Sequence, residues 1–124
     1  MPVNADAPPA SRRVLVVEDE MMIAMMLEDM LSDLGHSVIA IAGQLDSALS
    51  LASDTDADLV ILDLDLGGEP SLPVAKILAE RGVPFIFASG YGSQGLTAPF
   101  QDAVTLRKPY DLNDLSSALQ RLSV

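Results

Sequence analysis

Cysteine and tryptophan are both missing from this chain. Without cysteine there is no disulfide, no thiolate metal site and no cysteine nucleophile. That agrees with a reducing compartment. With no tryptophan and aromatics at 4%, the core has to be built from Leu, Val, Ile, Ala and Met. Base is scarce as well: seven Lys and Arg stand against eighteen Asp and Glu, a formal charge of -11. Such a surface repels nucleic acid and anionic lipid and suits a basic protein partner. The seven bases form no stripe of the kind that tracks a phosphate backbone. No apolar run reaches the ~18 residues that span a bilayer. The first residues, MPVNADAPPAS, have neither a basic start nor an apolar stretch, so they do not read as a signal peptide. The expectation is a cytoplasmic protein with neither nucleic acid nor membrane as partner.

What is present is a chain of 124 residues, 49% of them hydrophobic, which suits one domain with one packed interior. Residues 1–11 carry three prolines among small residues and read as a flexible N-terminal tail, with the folded domain over 12–124. The run Val14–Val17 stops at Glu18, Asp19 and Glu20 and reads as a buried strand. In residues 21–34, Ile23, Met26, Leu27, Met30, Leu31 and Leu34 recur at helical spacing, and Gly35 ends the helix. The methionines are expected to fill irregular gaps in the core. His36, alone in the turn that follows, reads as a surface residue rather than a ligand.

Ser37–Ala42 is the second strand, and Gln44–Asp54 a helix on Leu45, Ala48, Leu49 and Ala52. Ala57–Leu62 is an apolar third strand ending at Asp63, and residues 63–72 are a Gly- and Asp-rich loop. A helix over Pro73–Arg81 has proline in its first turn and Gly82 as its stop. Val83–Ala88 is the fourth strand, ending at Ser89 and Gly90. Residues 90–102, interrupted by Gly92, Gly95 and Pro99, are expected to form a short or irregular helix. Ala103–Leu106 is the fifth strand. Asp111 is the N-cap of a last helix lined by Leu112, Leu115, Leu119 and Leu122. The βαβαβαβαβα rhythm predicts an α/β, doubly wound parallel sheet of five strands covered by five helices.

In such a sheet, functional groups gather beyond the C-terminal ends of the strands. Here those ends carry Glu18 and Asp19, then Asp63, then Ser89, then Lys108. Converging carboxylates repel unless a cation sits between them. A hard ion such as Mg²⁺ takes oxygen ligands and keeps some water. Asp19 and Asp63 offer direct carboxylates, Glu18 reaches through water, and Asp65 offers its backbone carbonyl. Lys108 balances the excess charge, and Ser89 supplies a hydroxyl donor. This is the set of parts for in-line transfer onto a carboxylate: nucleophile, metal, cationic clamp and donor. Each piece also has a plainer use, since Glu18–Glu20 suit a helix N-terminus and Asp63 suits an ordinary loop. Their joint placement at four strand ends favours the site. Gly67–Gly68 lie in neither a GxxxxGK[ST] nor a GxGxxG pattern, which argues against nucleotide binding.

With Glu18–Asp19, Asp63, Ser89 and Lys108–Pro109 in this order, residues 12–123 resemble the receiver domain of bacterial two-component response regulators. The resemblance implies a flavodoxin-like sheet of order 2-1-3-4-5 and a cis Lys108–Pro109 bond. It further implies Mg²⁺-dependent transfer to Asp63 from a phosphohistidine on a sensor kinase or a histidine phosphotransfer protein. FASGYG at 87–92 is similar to the Phe-Ala-Thr-Gly-Tyr-Gly signature of an alphaproteobacterial receiver subfamily, with Ser89 for Thr. The position of the usual aromatic switch, three before the lysine, is Thr105. Ser89 and Tyr91 are then the expected carriers of the switch. No output domain follows before Val124, so the expected output is contact with a protein effector, from a monomer or a phosphorylation-dependent homodimer. A phosphate sink and a phosphorylation-independent binding module are the alternatives. Slow loss of the phosphoryl group is the only turnover expected; this is a signalling protein, not an enzyme.

Overall fold

The computed structural model describes residues 11–90, 96, 100 and 103–122. The elements in chain order are β1 (Arg13–Val17), α1 (Met21–Asp33), β2 (Ser37–Ala42), α2 (Leu45–Asp54), β3 (Leu59–Asp63), β4 (Asp65–Leu66), β5 (Glu69–Pro70), α3 (Leu72–Arg81), β6 (Phe85–Ser89), β7 (Thr105–Arg107) and α4 (Leu112–Leu122). Five strands form one parallel sheet in the order β2-β1-β3-β6-β7. This is the expected order 2-1-3-4-5.

Strand alternation splits the core in two. On one face Val14, Val16, Leu59, Ile61, Ile86 and Leu106 meet Ala24, Leu27 and Leu31 of α1 and Leu115, Ala118 and Leu119 of α4. On the other face Leu15, Val17, Val60, Leu62 and Phe87 meet Ala48 and Ala52 of α2 and Val74, Ala75 and Leu78 of α3. Both faces are covered, which is why β3 is buried from end to end and its sequence shows no polar alternation. The three phenylalanines, Phe85, Phe87 and Phe100, stack edge to face with centroids 5.3–5.9 Å apart.

The local stops follow from backbone chemistry. Gly82 closes α3 at φ 73°, a left-handed geometry open to a residue without Cβ. At the other end of the chain Asp111 caps α4: its Oδ1 accepts the Asp114 N–H at 2.8 Å, while the Asp111 N–H donates to Asp114 Oδ2 at 3.0 Å. This reciprocal pair is a capping box.

Three expectations need correction. Among the described residues there are four helices, not five. Most of the segment expected to hold the remaining one, 90–102, lies outside the described residues. The stretch 63–72 is not a plain loop, because β4 and β5 pair antiparallel as a small hairpin. Its turn residues, Gly67 and Gly68, have φ 60° and 93°, and a two-residue turn with two positive φ values selects glycine. Last, of the α1 methionines only Met30 packs against the core, partly buried; the other four do not fill it. Met21, Met22 and Met25 are 59%, 85% and 56% exposed and Met26 is 39% exposed, while Ala24, Leu27 and Leu31 carry the packing. The 3.6-residue stripe is real, but it is narrower than the apolar run, and the surplus side chains face solvent.

Smaller shifts lie at the strand ends. β3 begins at Leu59 rather than Ala57, because Asp58 is spent on the strand's entry, its Oδ2 accepting the Arg13 N–H at 2.8 Å. β6 begins at Phe85 and includes Ser89, and β7 begins at Thr105. The imidazole of His36, half-buried, accepts the Arg12 N–H at 3.1 Å. Among the described residues no helix is long and apolar enough to cross a membrane.

Candidate functional site

Strand ends β1, β3, β6 and the β7–α4 turn deliver their polar groups to one cleft. It has a volume of about 250 Å³ and is lined by residues including Asp19, Asp63, Asp65, Gly67, Ser89 and Lys108. Register explains the convergence. Val17 of β1 pairs with Leu62 of β3, and Asp63 pairs with Ala88 of β6, so Glu18, Asp63 and Ser89 lie at nearly one level. Ser89 pairs with Arg107 of β7, which sets Lys108 just beyond. The Ser89 carbonyl accepts the Lys108 N–H at 2.8 Å, and the Lys108–Pro109 peptide is cis.

Lys108 stands between two carboxylates. Its Nζ donates to Glu18 Oε1 at 3.0 Å and to Asp63 Oδ2 at 2.9 Å. The other oxygen of each carboxylate takes a backbone amide two residues on: Asp65 N–H to Asp63 Oδ1 at 3.1 Å, and Glu20 N–H to Glu18 Oε2 at 3.1 Å. Both side chains are thus held at both oxygens. Glu18 and Asp63 are buried, 3% and 6% exposed, whereas Asp19 faces solvent at the cleft mouth.

Burial pushes the Glu18 carboxyl up to about 7, against the hydrogen bond from Lys108 that draws it down; the nearby Asp63 adds to the rise. For Lys108, burial alone would lower the ammonium, but the bonds to Asp63 and Glu18 outweigh it and hold it above its ordinary value. The buried Tyr110 phenol is pushed up to about 12, chiefly by burial, with the charges of Glu18 and Asp63 adding to the rise and Lys108 opposing it.

Glu18, Asp19 and Asp63 each offer a ligand oxygen, and these lie within 4.8 Å of one another. Three hard oxygen donors with an open, solvent-facing side fit a divalent cation that keeps part of its water. Among the described residues this is the one cluster of that kind. Of the expected site residues, the structure brings together Glu18, Asp19, Asp63, Asp65, Ser89 and Lys108. Thr105 lies apart, half-buried on β7, with its hydroxyl donating to the Ala103 carbonyl at 3.2 Å. Tyr91 lies outside the described residues.

Sequence reasoning missed two residues here. Ser71 is fully buried, and its hydroxyl donates to the Asp63 carbonyl. Tyr110 is 6% exposed, with no hydrogen-bond partner for its hydroxyl. Ser71 left no signal beyond a serine two before a proline, which reads as an ordinary helix cap.

A parallel sheet of this order, with a buried carboxylate clamped by lysine under a cation-sized acidic cluster, defines a phosphoacceptor-type α/β signalling module rather than a conventional enzyme. The response regulator receiver domain family matches residues 14–120, and the chain belongs to that family. Proteins of this kind signal through protein contacts, and the acidic cluster agrees with a phosphoaccepting aspartate beside a metal.

Among relatives, the transcriptional regulatory protein PdtaR of Mycobacterium tuberculosis is 32% identical over 121 residues, covering 94% of this chain and 58% of PdtaR. The chain therefore spans little more than half of that relative. The solution structure of SdrG from Sphingomonas melonis Fr1 is 40% identical, with a TM-score of 0.81, over 92% of this chain and 98% of SdrG. The BeF3-activated conformation of SdrG matches at 41% identity and a TM-score of 0.77, over 90% and 96%. The response regulator PhyR from Brucella abortus is 26% identical, with a TM-score of 0.78, over 91% of this chain and 48% of PhyR.

Proposed function

We propose that Asp63 is the phosphoacceptor, that the cation is Mg²⁺ and that the donor is a phosphohistidine on a sensor kinase or phosphotransfer protein. The observation that carries this reading is the double clamp on a buried Asp63. Lys108 holds one carboxylate oxygen and the Asp65 amide the other, beside Glu18 and Asp19. In the transfer, an Asp63 oxygen forms the new P–O bond as the P–N bond to the imidazole breaks, and the imidazole nitrogen keeps that electron pair. Mg²⁺, held by Asp19 and Asp63, would supply charge neutralisation to the transferring oxygens. Asp19, Asp63 and the Asp65 carbonyl are the ligands of this reading, with Glu18 reaching through water.

The phosphoryl group adds close to two negative charges and three strong acceptors. Lys108 takes one oxygen and the Ser89 hydroxyl another, while a cation held by Asp19 and Asp63 would offset the remaining charge. The movement of Ser89 is then passed to Tyr91, in a chain where Thr105 replaces the usual aromatic. FASGYG and the likeness to SdrG and PhyR support membership of the subfamily with the Phe-Ala-Thr-Gly-Tyr-Gly signature. The receiver unit is assigned to 12–124.

The test is intact-mass measurement after incubation with phosphoramidate. Wild-type protein with Mg²⁺ gains one phosphoryl group, whereas protein in chelator and the Asp63→Asn variant gain none. Equal labelling with and without metal, or labelling of Asp63→Asn, overturns the assignment.

A further inference from the structure

Four polar side chains are buried among the described residues: Glu18, Asp63, Ser71 and Ser89. Three sit at the strand ends that build the cleft. The fourth, Ser71, is 0% exposed and precedes α3. At such a position a serine ordinarily turns its oxygen onto the free N–H groups of the first helical turn. Ser71 makes no such bond. The reason is local. Pro73 has no N–H to offer, and the Val74 and Ala75 N–H groups already donate to the Ser71 carbonyl, at 2.9 and 3.3 Å.

The hydroxyl is turned instead onto the phosphoacceptor's own backbone. It donates to the Asp63 carbonyl at 2.5 Å, and the Ser71 N–H donates to the Leu64 carbonyl at 3.0 Å. The β4–β5 hairpin makes this possible, because it returns the chain to the end of β3 within eight residues. Two successive carbonyls of the acceptor loop are therefore held by one residue. On the same loop, the Leu64 N–H donates to the Ala88 carbonyl of β6 at 2.9 Å. Each peptide unit is planar, so fixing its oxygen and its N–H fixes its orientation. The Asp63–Leu64 unit is fixed at both: oxygen by Ser71, N–H by β6. That unit carries the Asp63 side chain at one end and leads directly to Asp65.

We infer that Ser71 is a positioning residue for phosphoryl acceptance: its hydroxyl sets the Asp63–Leu64 peptide, and with it the aim of the Asp63 carboxylate and the Asp65 backbone toward the bound cation. This rests on the reading of Asp63 as acceptor. A serine kept only as a helix cap would leave these carbonyls alone. Small errors in placing a reacting group cost large factors in rate, and groups that orient metal ligands commonly contribute tenfold or more.

The experiment compares wild type, Ser71→Ala, Ser71→Cys and Ser71→Thr, each with phosphoramidate as donor and Mg²⁺ titrated by amide chemical shifts. Ser71→Ala and Ser71→Cys are expected to accept the phosphoryl group about tenfold more slowly at saturating Mg²⁺, and to bind Mg²⁺ about tenfold more weakly. Ser71→Thr, which keeps the hydroxyl, stays within roughly threefold of wild type. Leu31→Ala, on the opposite face of the sheet, controls for lost stability and keeps the wild-type rate while folded. If Ser71→Ala does not fold, the nearly isosteric Ser71→Cys carries the comparison. A folded Ser71→Ala or Ser71→Cys with wild-type rate and Mg²⁺ affinity overturns the inference while leaving Asp63 as acceptor. A wild-type protein that takes up no phosphoryl group overturns the acceptor reading itself.

Discussion

At Lys108 a single ammonium joins two buried carboxylates that would otherwise repel each other across the cleft. Removing it by Lys108→Met leaves Glu18 and Asp63 unpaired, and breaking a buried pair from one side costs about 3 kcal/mol. The expected outcome in urea unfolding with chelator is a clearly lower midpoint, partly recovered by Mg²⁺. An unchanged midpoint in chelator contradicts the clamp. Glu18 adds a pH dependence whose sign is fixed. Its folded value, about 7, lies above its ordinary 4.5, so the folded state holds the proton more tightly than the unfolded chain. That contribution is fully present below 4.5 and is lost as pH rises through 7. Thermal melts in chelator should show wild type losing stability over that window relative to Glu18→Gln, which cannot titrate there. Parallel curves for the two proteins contradict the shift. These residues were legible because each ends an apolar run with a polar group. Ser71 and Tyr110 were not, since their roles depend on where a hairpin and a turn return the chain, and neither leaves a periodic trace.

α1 shows what helical spacing can and cannot reveal. Its existence and its stop at Gly35 follow from the pattern, and Leu27 and Leu31 pack as the spacing predicts. Which methionines lie inside the stripe depends on rotation by a fraction of a turn, which six apolar residues in sequence, Met21–Met26, leave undetermined. The consequence is measurable by chemical denaturation. Leu31→Ala opens a void between α1 and the sheet and costs about 2–5 kcal/mol. Met22→Ala, at 85% exposure, stays within about 0.5 kcal/mol. A large loss in Met22→Ala would mean that the methionine is packed after all. The β4–β5 hairpin was invisible for a different reason: strands of two residues carry no alternation, and Gly67–Gly68 was the sole sign of the turn.

For the molecule as a whole, the strand order and the meeting of four strand ends in one cleft are the features that carry function. A parallel sheet with this order places the ends of β1, β3 and β6 side by side whatever the helices between them do. That is why the convergence of the strand-end groups was readable from short apolar runs, although helix count and hairpin were not. The central claim is chemical and local: the phosphoryl group resides on Asp63. The most direct measurement labels the protein with phosphoramidate and Mg²⁺, reduces the acyl phosphate with borohydride and maps the product by peptide mass spectrometry. The account predicts homoserine at position 63 and at no other aspartate. Reduction at Asp19 or Asp65 with Asp63 intact would contradict it.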